Sequence, residues 1–177
     1  MKSFLVIGNP IKHSLSPKLH NYWINQNNLD GIYDKKSLSK EELIKVVEDI
    51  KDEKISGVNI TVPYKQEIIK FIDELSPLAK KTNSINTIFK KDGKIIGENT
   101  DIYGFEMALK HIDYNVLGKK ILLLGAGGVA PSLIYSLKNL GATEITISNR
   151  TKNKAIKIKE TFTDINIINW GEIVEFD

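Results

Sequence analysis

Residues 121–130 read Ile121-Leu122-Leu123-Leu124 followed by Gly125-Ala126-Gly127-Gly128-Val129-Ala130, and no other stretch restricts the fold so tightly. Four consecutive large aliphatics are apolar on both faces, as a strand covered on both sides must be. Gly125 and Gly127 permit a tight turn and a close approach of backbone N–H groups, while a small residue at Ala130 lets a following helix sit against the strand. That helix is signalled by Val129, Leu133, Ile134, Leu137 and Leu140 on one stripe, and it stops at Gly141. Glu144–Ser148 then reads as a second strand, Lys152–Phe162 as a lysine-rich helix and Ile165–Ile168 as a third strand. Strand, glycine turn, helix and strand in this order is the context of the G-x-G-x-x-A dinucleotide fingerprint.

The residues after the second strand bear on which dinucleotide. An acidic residue about 20 positions past the fingerprint binds a ribose 2′-hydroxyl, and cations replace it where a 2′-phosphate must be held. Here the strand ends Ser148-Asn149-Arg150-Thr151, with no carboxylate. Arg150 can lie against an adenine and pair with a phosphate, Asn149 and Thr151 offer neutral hydrogen bonds, and Lys154 follows one helical turn on. The expected cofactor is NADP(H), held by Gly125, Ala126, Gly127, Gly128, Val129, Ala130, Asn149, Arg150, Thr151 and Lys154. Arg150 as an ordinary solvated residue after a strand is the alternative these residues leave open.

The first hundred residues alternate short apolar runs with helix-length amphipathic ones, the α/β pattern with mostly parallel strands. Phe4–Ile7 predicts a strand, and Pro17 to about Asn27 a helix with Ser16 as N-cap. A second strand-and-helix pair follows, its helix running from about Glu41 to Lys51 behind a Ser39 cap, with Leu43, Val46, Val47 and Ile50 on one face. Val58–Val62 predicts a strand, Gln66 to about Leu75 a helix, and Ile85–Phe89 with Lys94–Gly97 a hairpin turned at Asp92-Gly93. Tyr103–Ile112 reads as a helix leading out of this unit.

Within Gly57–Lys65, alternation puts Val58, Ile60 and Val62 on one face and Asn59 and Thr61 on the other. Two polar residues on a strand that should be apolar on both faces point to a polar ligand at its end. Lys65 lies in the turn beyond Pro63, where burial can bring an amine into proton transfer. Ser14 and Ser16 present two hydroxyls at a helix N-terminus, suited to a carboxylate. Ser16 as a plain N-cap fits that segment equally well.

Composition removes other classes. With 41% hydrophobic residues the chain can build a core, and with no cysteine it has no disulfide, thiolate metal site or Cys nucleophile. Its net charge of +3 comes from scattered lysines with no interleaved aromatics, so no nucleic-acid partner is expected. No apolar run approaches the roughly 18 residues of a membrane span, and Met1-Lys2 leads straight into a strand-like run. A cytoplasmic protein is expected. His13, His20 and His111 have no ligand spacing, so no metal is inferred.

Taken in order, Ser14-x-Ser16-Pro17, Asn59-x-Thr61-x-Pro63-x-Lys65, Asn86-Thr87, Asn99-Thr100-Asp101, the glycine turn and Asn149-Arg150-Thr151 resemble the shikimate dehydrogenase family. The resemblance implies NADPH-dependent, reversible reduction of 3-dehydroshikimate to shikimate, on the way to chorismate and the aromatic amino acids. It implies that Ser14 and Ser16 hold the substrate carboxylate, that Asn59, Thr61, Asn86 and Asp101 bind ring hydroxyls, and that Lys65 and Asp101 are the catalytic pair. Residues 1–102 would be the substrate domain, 103–117 a linker helix and 118–177 part of a Rossmann domain. A relative acting on quinate or an aminoshikimate, and a non-catalytic binding module, are the competing readings.

Two departures accompany the resemblance. The family's Gly-Ala before x-Asn-Thr is replaced by Asn83-Ser84, and only the first βαβαβ half of a Rossmann sheet is expected within the sequence. The strands that would hold the nicotinamide side have no counterpart, so Ile121–Leu124 should present a free apolar edge that invites dimerisation.

Overall fold

The aliphatic run near the N-terminus forms the middle of β1 (Lys2–Gly8), which has a parallel neighbour on each side, β2 (Gly31–Ser37) and β3 (Gly57–Ile60). The computed structural model describes all residues, Met1–Asp177. α1 (Ser16–Gln26) returns the chain from β1 to β2, and α2 (Leu43–Lys51) from β2 to β3. α2 buries Leu43, Val46, Val47 and Ile50, the stripe its spacing predicts. Beyond β3 come β4 (Glu74–Leu75), α3 (Pro77–Thr82), β5 (Thr87–Lys91) and β6 (Lys94–Glu98). The sheet order is β2-β1-β3-β5-β6-β4, antiparallel only where β5 meets β3 and β6. Ile7, Ile60, Ile68, Ile85, Ile88 and Ile95 are fully enclosed in its core.

The edge strand β2 is closed at its centre. Asn21 of α1 accepts from the Tyr33 backbone N–H at 2.9 Å and donates to the Tyr33 carbonyl at 2.7 Å, satisfying both groups that would otherwise recruit another strand.

Several local expectations give way to tertiary packing. Ser16 is the first residue of α1 rather than its N-cap; Leu15 holds that position, and the Ser14 hydroxyl accepts the Ser16 N–H at 3.3 Å. Ser39 caps nothing with its side chain; its backbone N–H donates to the Glu42 carboxylate at 2.7 Å, and α2 begins two residues later than expected. Gln66–Leu75 is not one helix. A 3₁₀ turn at Glu67–Phe71 breaks so that Glu74–Leu75 can pair with β6, and Asp73 accepts from Ile95 N–H at 2.8 Å. The strand expected to reach Val62 ends at Ile60, and the hairpin strand begins at Thr87 because the Ile85 N–H turns to the Lys65 carbonyl at 3.0 Å.

The chain divides into Met1–Asn99 and Thr100–Asp177. The second unit opens with α4 (Asp101–His111), the segment read from sequence as a linker. Phe105 and Leu109 pack on the second unit's core, and the Ser136 hydroxyl donates to Glu106 at 2.9 Å, so this helix is part of that unit. β7 (Lys120–Leu124), α5 (Ala130–Asn139), β8 (Glu144–Ser148), α6 (Lys152–Thr161) and β9 (Asn166–Ile168) follow. The sheet is parallel throughout in the order β7-β8-β9, the first half of a Rossmann sheet. β7, expected from sequence to present a free apolar edge, is an edge strand in this sheet, and Leu124 at its end is 67% exposed. No helix is long and apolar enough to cross a membrane.

Gly8 marks where the first unit is tightest. A Cβ there would lie 2.6 Å from Thr61 Cγ2 and 2.9 Å from the Val62 carbonyl oxygen, and the latter is backbone that cannot step aside. Gly8→Ala is expected to lower unfolding stability by about 1–3 kcal/mol in urea titrations. An unchanged midpoint would show that the β1 and β3 ends are not packed as described.

Candidate functional site

Polar side chains gather where β1 and β3 end, the position at which open parallel sheets present ligand sites. The chain leaving β3 stays tied to its neighbours. Thr61 N–H donates to the Ile7 carbonyl at 2.9 Å, Asn9 N–H to the Val62 carbonyl at 3.0 Å, and Ile60 N–H to the Asn86 carbonyl at 2.8 Å. These bonds fix where Thr61, Lys65 and Asn86 emerge.

Ser14, Ser16 and Thr61 line one open cavity of about 490 Å³ together with Asn9, Pro10 and His13. The two serine hydroxyls lie 3.2 Å apart. Lys35, from β2, donates its ammonium to the Lys12 carbonyl and to the Ser14 carbonyl at 3.4 Å, pinning the loop that carries them. Asn59 is half-buried, with Oδ1 accepting from the Tyr33 hydroxyl at 2.6 Å and Nδ2 donating to Thr87 Oγ1 at 3.0 Å and to the Asn86 carbonyl at 3.3 Å. Lys65 is 8% exposed, unusual for a lysine, and belongs to the same strand-to-turn segment. Burial also pushes the Tyr33 hydroxyl pKa up and the His20 pKa down, so near neutrality the phenol is a donor and the imidazole is neutral.

Of the seven substrate-side candidates, Ser14, Ser16, Asn59, Thr61, Lys65 and Asn86 belong to the first unit, whereas Asp101 opens α4 of the second. Asn99, part of the same motif, is buried and donates to Thr82 Oγ1 at 3.0 Å and the Ser84 carbonyl at 2.9 Å, a structural tie. Thr87, of the Asn86-Thr87 pair, joins these candidates through Asn59, while Tyr33, Asn21 and Lys35 take part in the site yet carried no sequence signal. Their partners lie far along the chain, and nothing in their own strands marks them.

In the second unit the glycine turn has the form its sequence predicts. Gly125 has φ +114°, open to glycine and strained for any other residue, and its N–H donates to the Ser148 carbonyl at 2.8 Å. Ala126 N–H donates to Asn149 Oδ1 at 3.1 Å, and Asn149 Nδ2 donates to the Thr151 carbonyl at 2.8 Å. Asn149 thus uses one N–H and one lone pair of its amide to hold the turn. A Cβ at Gly127 would meet nothing within 4 Å, leaving room for a ligand against the backbone. Ala130 is buried and packs in the core, as expected of the residue that sets helix against strand. Arg150, Thr151 and Lys154 are exposed beside this turn, and no carboxylate interrupts them. An open glycine turn with cations past β8 fits a dinucleotide bearing a 2′-phosphate. No group of three or more His, Asp or Glu side chains is placed to hold a metal ion.

Comparisons with known proteins agree with both halves. A family profile described as shikimate dehydrogenase substrate binding domain matches residues 6–88, and one described as shikimate / quinate 5-dehydrogenase matches residues 106–175. The chain is 54% identical over 176 residues to the shikimate dehydrogenase (NADP(+)) of Pelagibacter ubique, covering 99% of this chain and 66% of that relative. Shikimate dehydrogenase 1 of Peptoclostridium difficile superposes with a TM-score of 0.92 at 31% identity, over 100% of this chain and 65% of that one. The Thermus thermophilus enzyme, solved with NADP(H) and shikimate, gives 0.85 at 32% identity over 95% of this chain and 63% of that one. The sequence therefore spans about two thirds of the length of the relatives it matches.

Asn149→Ala removes the acceptor for Ala126 N–H and the donor for Thr151. Hydrogen exchange at Ala126 is expected to quicken about tenfold, matching a lost hydrogen bond; unchanged exchange would show that Asn149 does not hold the turn.

Proposed function

Because the chain belongs to the shikimate dehydrogenase family, we propose that it catalyses the reversible NADP(H)-dependent reduction of 3-dehydroshikimate to shikimate, an oxidoreductase step toward chorismate and the aromatic amino acids. The observation that carries this reading is the buried Lys65 on the segment that also bears Asn59 and Thr61, whose Thr61 lines a cavity with Ser14 and Ser16. A cytoplasmic location goes with it.

The chemistry assigns each residue a task. NADPH, when bound, supplies the hydride that reaches the substrate's carbonyl carbon. Negative charge then grows on the carbonyl oxygen, and a donor within hydrogen-bond reach of that atom lowers the barrier. Lys65 gives the proton there, and in the reverse direction its neutral amine takes the proton from the hydroxyl. Asp101, as the second member of the catalytic pair, orients the reacting hydroxyl. Ser14 and Ser16 donate to the substrate carboxylate, and Asn59, Thr61 and Asn86 engage ring hydroxyls. Arg150, with Lys154 and the Thr151 hydroxyl, holds the 2′-phosphate, which an NAD site would meet with a carboxylate. Quinate differs from shikimate only in the ring, so the ratio of kcat/KM for the two alcohols decides between them.

The test is reduction of NADP+ by shikimate, followed through the near-ultraviolet absorbance of the reduced nicotinamide. Turnover is expected for the wild type, and Lys65→Ala should lower kcat by about 10²–10⁴ while shikimate KM changes by no more than a few fold. Equal kcat in the two would remove Lys65 from the chemistry. Thermal stabilisation by both ligands without any absorbance change would make the chain a binding module instead.

A further inference from the structure

The surroundings of Asn59 decide which half of its amide can meet a ligand. One edge of the amide faces the Asn86 carbonyl at 3.3 Å and the Thr87 hydroxyl at 3.0 Å. A peptide carbonyl only accepts, so the edge turned to it must be the NH₂. The oxygen edge is thereby turned to Tyr33, whose phenol donates to it at 2.6 Å. Both Asn59 N–H bonds are spent inside the protein, and the remaining capacity is a lone pair on Oδ1.

Tyr33 is held firmly enough to impose this. It is 5% exposed, and its strand and that of Asn59 flank β1 on opposite sides, in register with Phe4 and Val6 respectively. The phenol therefore spans β1 to reach Asn59. Asn21 bonds its backbone at both N–H and carbonyl. His20 stacks on its ring at 4.1 Å and 4°, and Trp23 closes on His20 edge-to-face at 5.5 Å.

We infer that Tyr33 is a positioning residue for substrate recognition: its hydroxyl fixes Asn59 as a hydrogen-bond acceptor, so the site selects a ligand hydroxyl there and rejects a carbonyl or ether oxygen. The inference rests on the reading of this site as one for shikimate. It also places the reacting carbonyl of 3-dehydroshikimate elsewhere than on Asn59, since Asn59 has no donor left to offer it.

Tyr33→Phe in the full chain removes only the donor. Calorimetric titration should show shikimate binding about tenfold weaker with NADP+ affinity unchanged. Among monodeoxy shikimates, the one lacking the hydroxyl seated on Asn59 should bind the two proteins equally, because the lost group has nothing left to select. Exchange of the Asn59 side-chain amide protons, read by NMR without ligand, should quicken at least about tenfold in the variant. Unchanged shikimate affinity with unchanged amide exchange overturns the inference. So do equal losses for shikimate and every deoxy analogue, which would mark a purely structural role. A wild-type chain that binds no shikimate overturns the functional reading instead, and the amide exchange then decides the positioning claim alone.

Discussion

The seam of backbone hydrogen bonds at the ends of β1 and β3 is the constraint on which the first unit's site depends. Ile7 and Val62 carbonyls take the Thr61 and Asn9 N–H groups, and Asn86 and Lys65 carbonyls take those of Ile60 and Ile85. Three segments far apart in sequence, residues 7–9, 60–65 and 85–86, are thereby locked into one rim. Side chains that leave this rim have little choice of direction, which is how a short stretch such as Asn59–Lys65 presents an amide, a hydroxyl and an amine together. Gly8 is the element that lets the seam close, since any side chain there would occupy the space of Thr61 and Val62.

The second unit solves a related problem with fewer parts. A parallel strand delivers its chain end at the sheet's edge, and the turn into the helix must leave backbone N–H groups open to an anion. Gly125 supplies the required φ, Asn149 ties the turn to the strand beside it, and Arg150 is left at the surface. Asn149 is thus engaged within the turn, while the adjacent Arg150 stays exposed. The sequence pattern alone credits both Asn149 and Arg150 with ligand contacts, whereas the geometry gives Asn149 a supporting task first.

What could be read from sequence follows a physical rule. Local signals that tertiary contacts also favour survive into the fold, including the α2 stripe, the Asp92-Gly93 turn, the glycine turn and the order of strands in the second unit. Signals with a tertiary competitor do not. Ser16 is a good N-cap by type, but Ser14 accepts its N–H and the helix starts one residue earlier. Gln66 to about Leu75 reads as a helix, but pairing with β6 offers the backbone of Glu74–Leu75 a sheet partner. Contacts between distant residues of unremarkable type left no trace at all. Tyr33 reads as one aromatic on a strand, and only the folded sheet brings it to Asn59.

The central proposal is that Ser14, Ser16, Asn59, Thr61, Lys65 and Asn86 of the first unit recognise a polyol carboxylate, and that the glycine turn and Arg150 of the second recognise a phosphorylated dinucleotide. Amide chemical-shift mapping of the full chain during separate titrations with shikimate and NADP+ tests it most directly. Shikimate should shift Ser14, Ser16, Asn59, Thr61, Lys65 and Asn86 and leave Gly125–Ala130 unmoved, while NADP+ should shift Gly125–Ala130 and Asn149–Lys154. Shikimate shifts confined to other surfaces, or none at saturating concentration, would contradict the account.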